Sequence, residues 1–219
     1  MKSETVDRVP IPPRTASARL IVVIRATDAG DYLHVLDALI EAGIRSVELT
    51  MTTPGTIARL PEIVARFGGN ADIGVGTVID QVGLRAATDA GAHFIVTPIA
   101  DPGLVTASAA AGIPIVSGGL TPTELFGSWR SGASAVKVFP AGQVTADYVK
   151  DLRGPFPEIE VIPSGGVNLT VAAAWLAAGA VAVSVGGPLL GDAMRGGDVR
   201  LLRQRTEAFV ALCANGVAT

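Results

Sequence analysis

Short apolar runs of strand length recur along the chain from Leu20 onward: Leu20–Arg25, Ser46–Thr50, Ile73–Thr77, His93–Thr97, Pro114–Ser117, Ala135–Phe139, Glu160–Pro163 and Val181–Gly186. Between them lie amphipathic segments such as Asp31–Ala42, whose Leu33, Leu36, Leu39 and Ile40 fall at helical spacing. The passage from helix to next strand carries the same punctuation five times, at Gly43, Gly91, Gly112, Gly132 and Gly179. Glycine closes a helix in the left-handed conformation without a Cβ penalty, so each of these positions predicts a helix end.

Alternation of helix with continuously apolar strand predicts a parallel sheet covered by helices, either an open doubly wound sheet or a closed barrel. Eight near-equal units of about 25 residues favour the second, a single (β/α)₈ TIM barrel over residues 18–219. Residues 1–17, polar and broken by Pro10, Pro12 and Pro13, read as an N-terminal tail or extended lead-in.

Composition narrows the function. With 219 residues and 49 % hydrophobic content the chain can bury a full core as one domain. A net charge of −3 and the lack of any Lys/Arg run argue against nucleic acid as a partner. No apolar stretch reaches membrane-spanning or signal-peptide length, so the expectation is a soluble, cytoplasmic protein with no membrane contact. A lone cysteine, Cys213, reads as a small apolar packing residue, and His34 and His93 as surface or packing residues; no metal-ligand spacing is present.

In a barrel the C-terminal strand ends and the loops after them build the site. That rule selects Arg25, Glu48, Thr50, Thr77, Thr97-Pro98 and Lys137. Lys137 lies between Val136 and Val138, so if Phe139 faces the barrel interior, Lys137 does as well and the valines face the helices. Such a lysine either snorkels to the strand end or, stripped of water, presents a neutral amine able to attack a ketone. Glu48 is either a structural ion-pair partner or a proton carrier on the same interior. Two glycine pairs, Gly165-Gly166 after Ser164 and Gly186-Gly187, follow the seventh and eighth strands, where barrels often hold phosphate on backbone N–H groups. Either pair alone reads equally as a turn.

These residues resemble the 2-keto-3-deoxy-6-phosphogluconate and 4-hydroxy-2-oxoglutarate aldolases. The resemblance runs from about Leu20 to the C-terminal helix through 43–50 (GIRSVELT), 74–78 (GVGTV), 96–98 (VTP), 136–140 (VKVFP), 163–167 (PSGGV) and 185–187 (VGG). It implies a class I aldolase with Lys137 as Schiff-base lysine and Glu48 as acid/base, acting partly through a water. It further implies a 2-keto acid substrate and pyruvate as ligands, Thr77, Pro98 and Phe139 in the pyruvate pocket, and Ser164, Gly165, Gly166, Gly186 and Gly187 around a distal phosphate. Metal-free catalysis without a cofactor, and a homotrimer, also come from the resemblance.

The chain departs from the family pattern in three places. Thr52 stands where many members have Arg, Pro188 where many have Ser, and Thr145 where Gly is usual. With Thr52 unable to supply a cation, Arg25 on the adjacent strand is the candidate partner of the substrate carboxylate, or else it simply pairs with Glu48. An isomerase or synthase on the same scaffold, with no lysine imine, and a non-catalytic sugar-acid-binding barrel remain the rival readings.

Overall fold

The computed structural model describes residues 8–215. Eight parallel strands alternate with helices: β1 (Leu20–Ile24), β2 (Ser46–Thr50), β3 (Asp72–Gly76), β4 (Phe94–Thr97), β5 (Ile115–Gly119), β6 (Ala135–Val138), β7 (Val161–Pro163) and β8 (Val183–Val185). Their order is β7-β6-β5-β4-β3-β2-β1-β8, and a bridge between Ser164 and Ser184 links the two outer members. The sheet therefore curls into a nearly closed barrel, and the open doubly wound alternative is excluded. Ordinary strand boundaries differ from the apolar runs by one or two residues, as edges of hydrogen-bonded ladders do. The five helix-closing glycines all have positive φ, between 71° at Gly112 and 103° at Gly132 and Gly179.

Alternation along each strand sorts side chains into two layers. Outward residues such as Val47, Val136 and Val138 join the large core between barrel and helices, whereas Ile21, Phe94, Val96, Val116, Ala135, Ile162 and Ala182 pack together inside. Lys137, one step from both valines, falls on the interior side. Small residues make the interior packing possible. A Cβ on Gly74 would lie 2.5 Å from the Phe94 ring, so this strand position admits only glycine beside so large a neighbour.

The N-terminal lead-in does not remain extended. A short helix, α1 (Pro13–Ala18), closes the N-terminal end of the barrel, with Ile11 against the interior cluster. Thr15 is buried there. Its N–H and hydroxyl both donate to Asp72 Oδ2, at 2.8 and 2.9 Å, and its hydroxyl lies 2.8 Å from Ser46 Oγ. Upstream, the Arg8 guanidinium stacks 3.4 Å from the centre of the Trp129 ring and donates to Trp129 O. The segment thus straps the barrel floor from β6 to β3, opposite the end where the polar residues gather. Cys213 is buried in α10 (Val199–Asn215), and burial pushes its thiol up to about 11, which leaves it unreactive.

Candidate active site

Two buried ionisable groups meet inside the barrel from opposite strands. Glu48 in the middle of β2 and Lys137 in β6 both project into the interior, 1 % and 6 % exposed. Lys137 Nζ stands 3.8 Å from Glu48 Oε2. That separation gives electrostatic attraction without a hydrogen bond, and no described residue donates to Oε2. A buried carboxylate with an unmatched oxygen beside a buried amine is expensive to maintain for stability alone. Lys137 also lies 5.3 Å from the centre of the Phe139 ring, so the amine meets an aromatic face on one side and a carboxylate on the other. Both residues are thus kept from snorkelling fully into solvent.

Glu48 fits only because β3 carries glycine at position 76, which pairs with Thr50 and lies beside the Glu48 carboxylate. A Cβ on Gly76 would come within 1.9 Å of Glu48 Oε1. Gly76→Ala is therefore expected to displace the carboxylate and lower kcat by about 10²-fold, the order of loss that misplacing a reacting group by an ångström can cause. Overpacking should cost about 1–3 kcal/mol of stability besides. Steady-state kinetics with a thermal melt checks this, and an unchanged kcat would show that the carboxylate's position is not critical. Gly118, level with Lys137 in the β5–β6 register, has the same character: a Cβ there would lie 2.4 Å from the Pro98 carbonyl carbon, so Pro98 closes over this side of the mouth.

Thr77 follows Gly76 with φ of 61°. A β-branched residue in the left-handed region is strained by about 1–3 kcal/mol, and such strain is retained chiefly where geometry serves function. Phe139, one residue past β6, is 39 % exposed at the mouth. Its ring packs on Gly165, where an added Cβ would lie 3.2 Å away. Gly165 and Gly166 have φ of 84° and 78°, and Gly142 N–H donates to Gly165 O while Ala141 N–H donates to Ser164 O. The loop after β7 is thereby bound to the loop after β6, next to Lys137. Ser164 Oγ lies 3.3 Å from Ser184 Oγ inside the barrel. Gly186 and Gly187 open the four-residue helix α9 (Gly187–Leu190), in which Pro188 sits in the first turn.

Arg25 lies just beyond β1. Val23 is in register with Glu48, so Arg25, two residues on, stands level with Thr50 on the interior side of the mouth. It is exposed, and among the described residues its guanidinium makes no hydrogen bond or ion pair; Glu48's ionic partner is Lys137, not Arg25. Thr52 is exposed close by and donates its hydroxyl to Thr50 Oγ1 at 3.2 Å. Sequence reasoning missed the residue beneath them. Tyr32, at the start of α2 (Tyr32–Glu41), is completely buried with its hydroxyl 2.9 Å from Thr56 Oγ1. Burial pushes its phenol above the ordinary range, opposed by hydrogen bonds with Thr53 and Thr56 and by the nearby charge of Arg25. Gly76 did carry a signal, since glycine inside an apolar strand marks a close approach.

Among the described residues no group of three His, Cys, Asp or Glu side chains could hold a metal ion, and no helix is long and apolar enough to cross a membrane. His93 accepts a hydrogen bond from Ile73 N–H at 3.1 Å, a structural role.

Comparison with known proteins points the same way as the geometry. The family described as KDPG and KHG aldolase matches residues 11–204. The chain is 30 % identical over 206 residues to a probable 2-dehydro-3-deoxy-6-phosphogalactonate aldolase of Rhizobium meliloti, covering 94 % of this chain and 95 % of that one. It is 34 % identical over 163 residues to the 2-dehydro-3-deoxy-phosphogluconate aldolase of Pseudomonas aeruginosa, covering 73 % of each. Among solved structures, a KDPG aldolase from Legionella pneumophila, with pyruvate captured as a covalent carbinolamine, superposes with a TM-score of 0.76 at 26 % identity, over 94 % of this chain and 97 % of that one.

Proposed function

The chain belongs to the KDPG and KHG aldolase family, and from that premise we propose that it cleaves a 2-keto-3-deoxy-6-phospho sugar acid to pyruvate and an aldehyde through an imine on Lys137. The fold and family make it an aldolase, a carbon–carbon lyase. The observation that carries the finer reading is the buried Lys137–Glu48 pair, 3.8 Å apart inside the barrel mouth.

The chemistry follows from those two groups. The amine of Lys137 adds to the ketone carbon of the substrate to give a carbinolamine, which loses water to become an iminium. Glu48, directly or through a water, takes the proton from the hydroxyl two carbons further along the chain. The bond between the hydroxyl-bearing carbon and the carbon adjacent to the iminium then breaks, its electron pair passing to the iminium to form an enamine while the hydroxyl-bearing carbon leaves as the aldehyde. Protonation of the enamine carbon and hydrolysis of the resulting imine release pyruvate and restore the amine. The water lost in the first half is regained in the last. A carbinolamine trapped in the Legionella pneumophila relative supports this sequence by analogy.

Roles of the other residues follow the same proposal. Arg25, Thr77 and Pro98 hold the pyruvate half, with Thr52 as an auxiliary donor and Phe139 covering the imine. Ser164, Gly165, Gly166, Gly186 and Gly187 receive the distal end. The substrate is 2-keto-3-deoxy-6-phosphogluconate or its galactonate epimer, with 4-hydroxy-2-oxoglutarate as the second choice. A panel of these acids, with pyruvate release read by a coupled reductase, tests it. Turnover of the phosphorylated acids is expected. Turnover of 4-hydroxy-2-oxoglutarate alone would remove the phosphate role of the glycine pairs, and no pyruvate from any would overturn the reading.

We also propose a cytoplasmic homotrimer. Three large apolar side chains, Ile79, Val82 and Ile99, are exposed at the head of α4 (Gln81–Asp89) and in the loop after β4, with Val82 at 80 %. Exposed apolar side chains of this size are what a contact between copies would cover. Light scattering should give three chain masses for the wild type and one for Val82→Asp. A wild type of one chain mass would contradict the assembly.

A further inference from the structure

The turn that follows β2 and the loop that follows β1 are joined by a relay of hydrogen bonds that passes through both hydroxyl and backbone groups. Thr56, the first residue of α3 (Thr56–Phe67), has its Oγ1 3.0 Å from Thr50 O and 2.9 Å from Thr53 O, both of which can only accept. Its single proton is therefore committed to those carbonyls, and the Tyr32 hydroxyl, 2.9 Å away, must be the donor to Thr56. Thr53, held by Thr56 through its backbone carbonyl, accepts at its own Oγ1 from the N–H of Ala26, the residue directly after Arg25, at 3.0 Å. Ala29 N–H donates to Pro54 O across the same seam. Tyr32 thus lies at the buried base of both segments that bear Arg25 and Thr52, and its own α2 is anchored in the core.

We propose that Tyr32 is a positioning residue for recognition of the substrate carboxylate: through Thr56 and Thr53 its hydroxyl fixes the β1–α2 loop against the β2–α3 turn and so sets where Arg25 and Thr52 present their donors. This rests on the reading of the site as one that binds a 2-keto acid. The amine of Lys137 stands across the barrel on β6, and none of these hydrogen bonds reaches it or the carboxylate of Glu48, two residues before Thr50 on β2. The hydroxyl itself is fully buried, so it acts only through its neighbours.

Tyr32→Phe keeps the buried ring and removes one hydrogen-bond donor. Borohydride trapping of the lysine imine, read by intact mass across a concentration series, compares two ketones that differ in the carboxylate: pyruvate and its neutral ester, methyl pyruvate. In Tyr32→Phe the half-saturating concentration of pyruvate should rise about five-fold, the order expected from one net hydrogen bond, while that of methyl pyruvate stays at the wild-type value. In Arg25→Met, adding Tyr32→Phe should bring a smaller further loss for pyruvate than it brings in the wild type, since only the Thr52 donor is left to misplace. Should Tyr32→Phe fail to fold, Thr56→Val and Thr56→Ser replace it, with weakened pyruvate trapping expected in the first and wild-type trapping in the second. Equal weakening for both ketones, or for neither, would overturn the positioning role. A wild-type protein that traps no pyruvate would instead overturn the aldolase mechanism on which it rests.

Discussion

Glu48→Gln is expected to lower kcat for pyruvate formation by about 10²–10⁴-fold, the range that a positioned acid/base contributes, while still allowing slow formation of the lysine imine. The amide has nearly the volume of the carboxylate, so it fits the cleft that Gly76 leaves open. It cannot accept and return a proton. Loss should therefore fall on turnover more than on substrate binding, and single-turnover experiments that separate imine formation from carbon–carbon cleavage will show the second step slowed. Wild-type turnover in this variant would leave Glu48 as nothing more than the ionic partner of Lys137.

The second large effect concerns the carboxylate that every 2-keto acid brings into the barrel. An anion taken from water needs a matched charge or several donors, and Thr52 supplies only a hydroxyl already directed at Thr50. Arg25, level with Thr50 and without an ionic partner among the described residues, is the free cation at that edge of the mouth. Arg25→Met should weaken pyruvate binding and raise KM by about 10- to 100-fold, as expected for losing charge-assisted hydrogen bonds. The rival role, a partner for Glu48, would alter turnover with little change in pyruvate affinity. Unchanged pyruvate affinity, measured by imine trapping, would refute the carboxylate role.

Much of the barrel was legible because burial on both faces of a parallel strand writes itself as an apolar run, and a helix end writes itself as glycine. Lys137 stood out for the same reason: a charge inside such a run breaks the pattern and needs an explanation. Interior and exterior faces followed from period two, which put Val136 and Val138 among the helices and Lys137 inside. Features that depend on contact between distant segments were not legible. Nothing local to Gly76 names Glu48 as the side chain it accommodates, and Tyr32 reads as one more apolar position on α2 until Thr56, 24 residues away, appears beside its hydroxyl. The fixed path of the N-terminal segment, which reads as a tail or extended lead-in, was not legible because its fixing contacts, Thr15 to Asp72 and Arg8 to Trp129, are polar and long-range. The left-handed backbone of Thr77 had no local signal either, since a β-branched residue ordinarily avoids positive φ.

The proposed mechanism requires a covalent bond to one nitrogen atom, that of Lys137. Borohydride added in the presence of pyruvate should reduce the imine to a secondary amine and leave a stable three-carbon adduct, which peptide mass mapping should assign to Lys137 and which Lys137→Met should not form. An adduct confined to another lysine, or none at saturating pyruvate, would contradict the account.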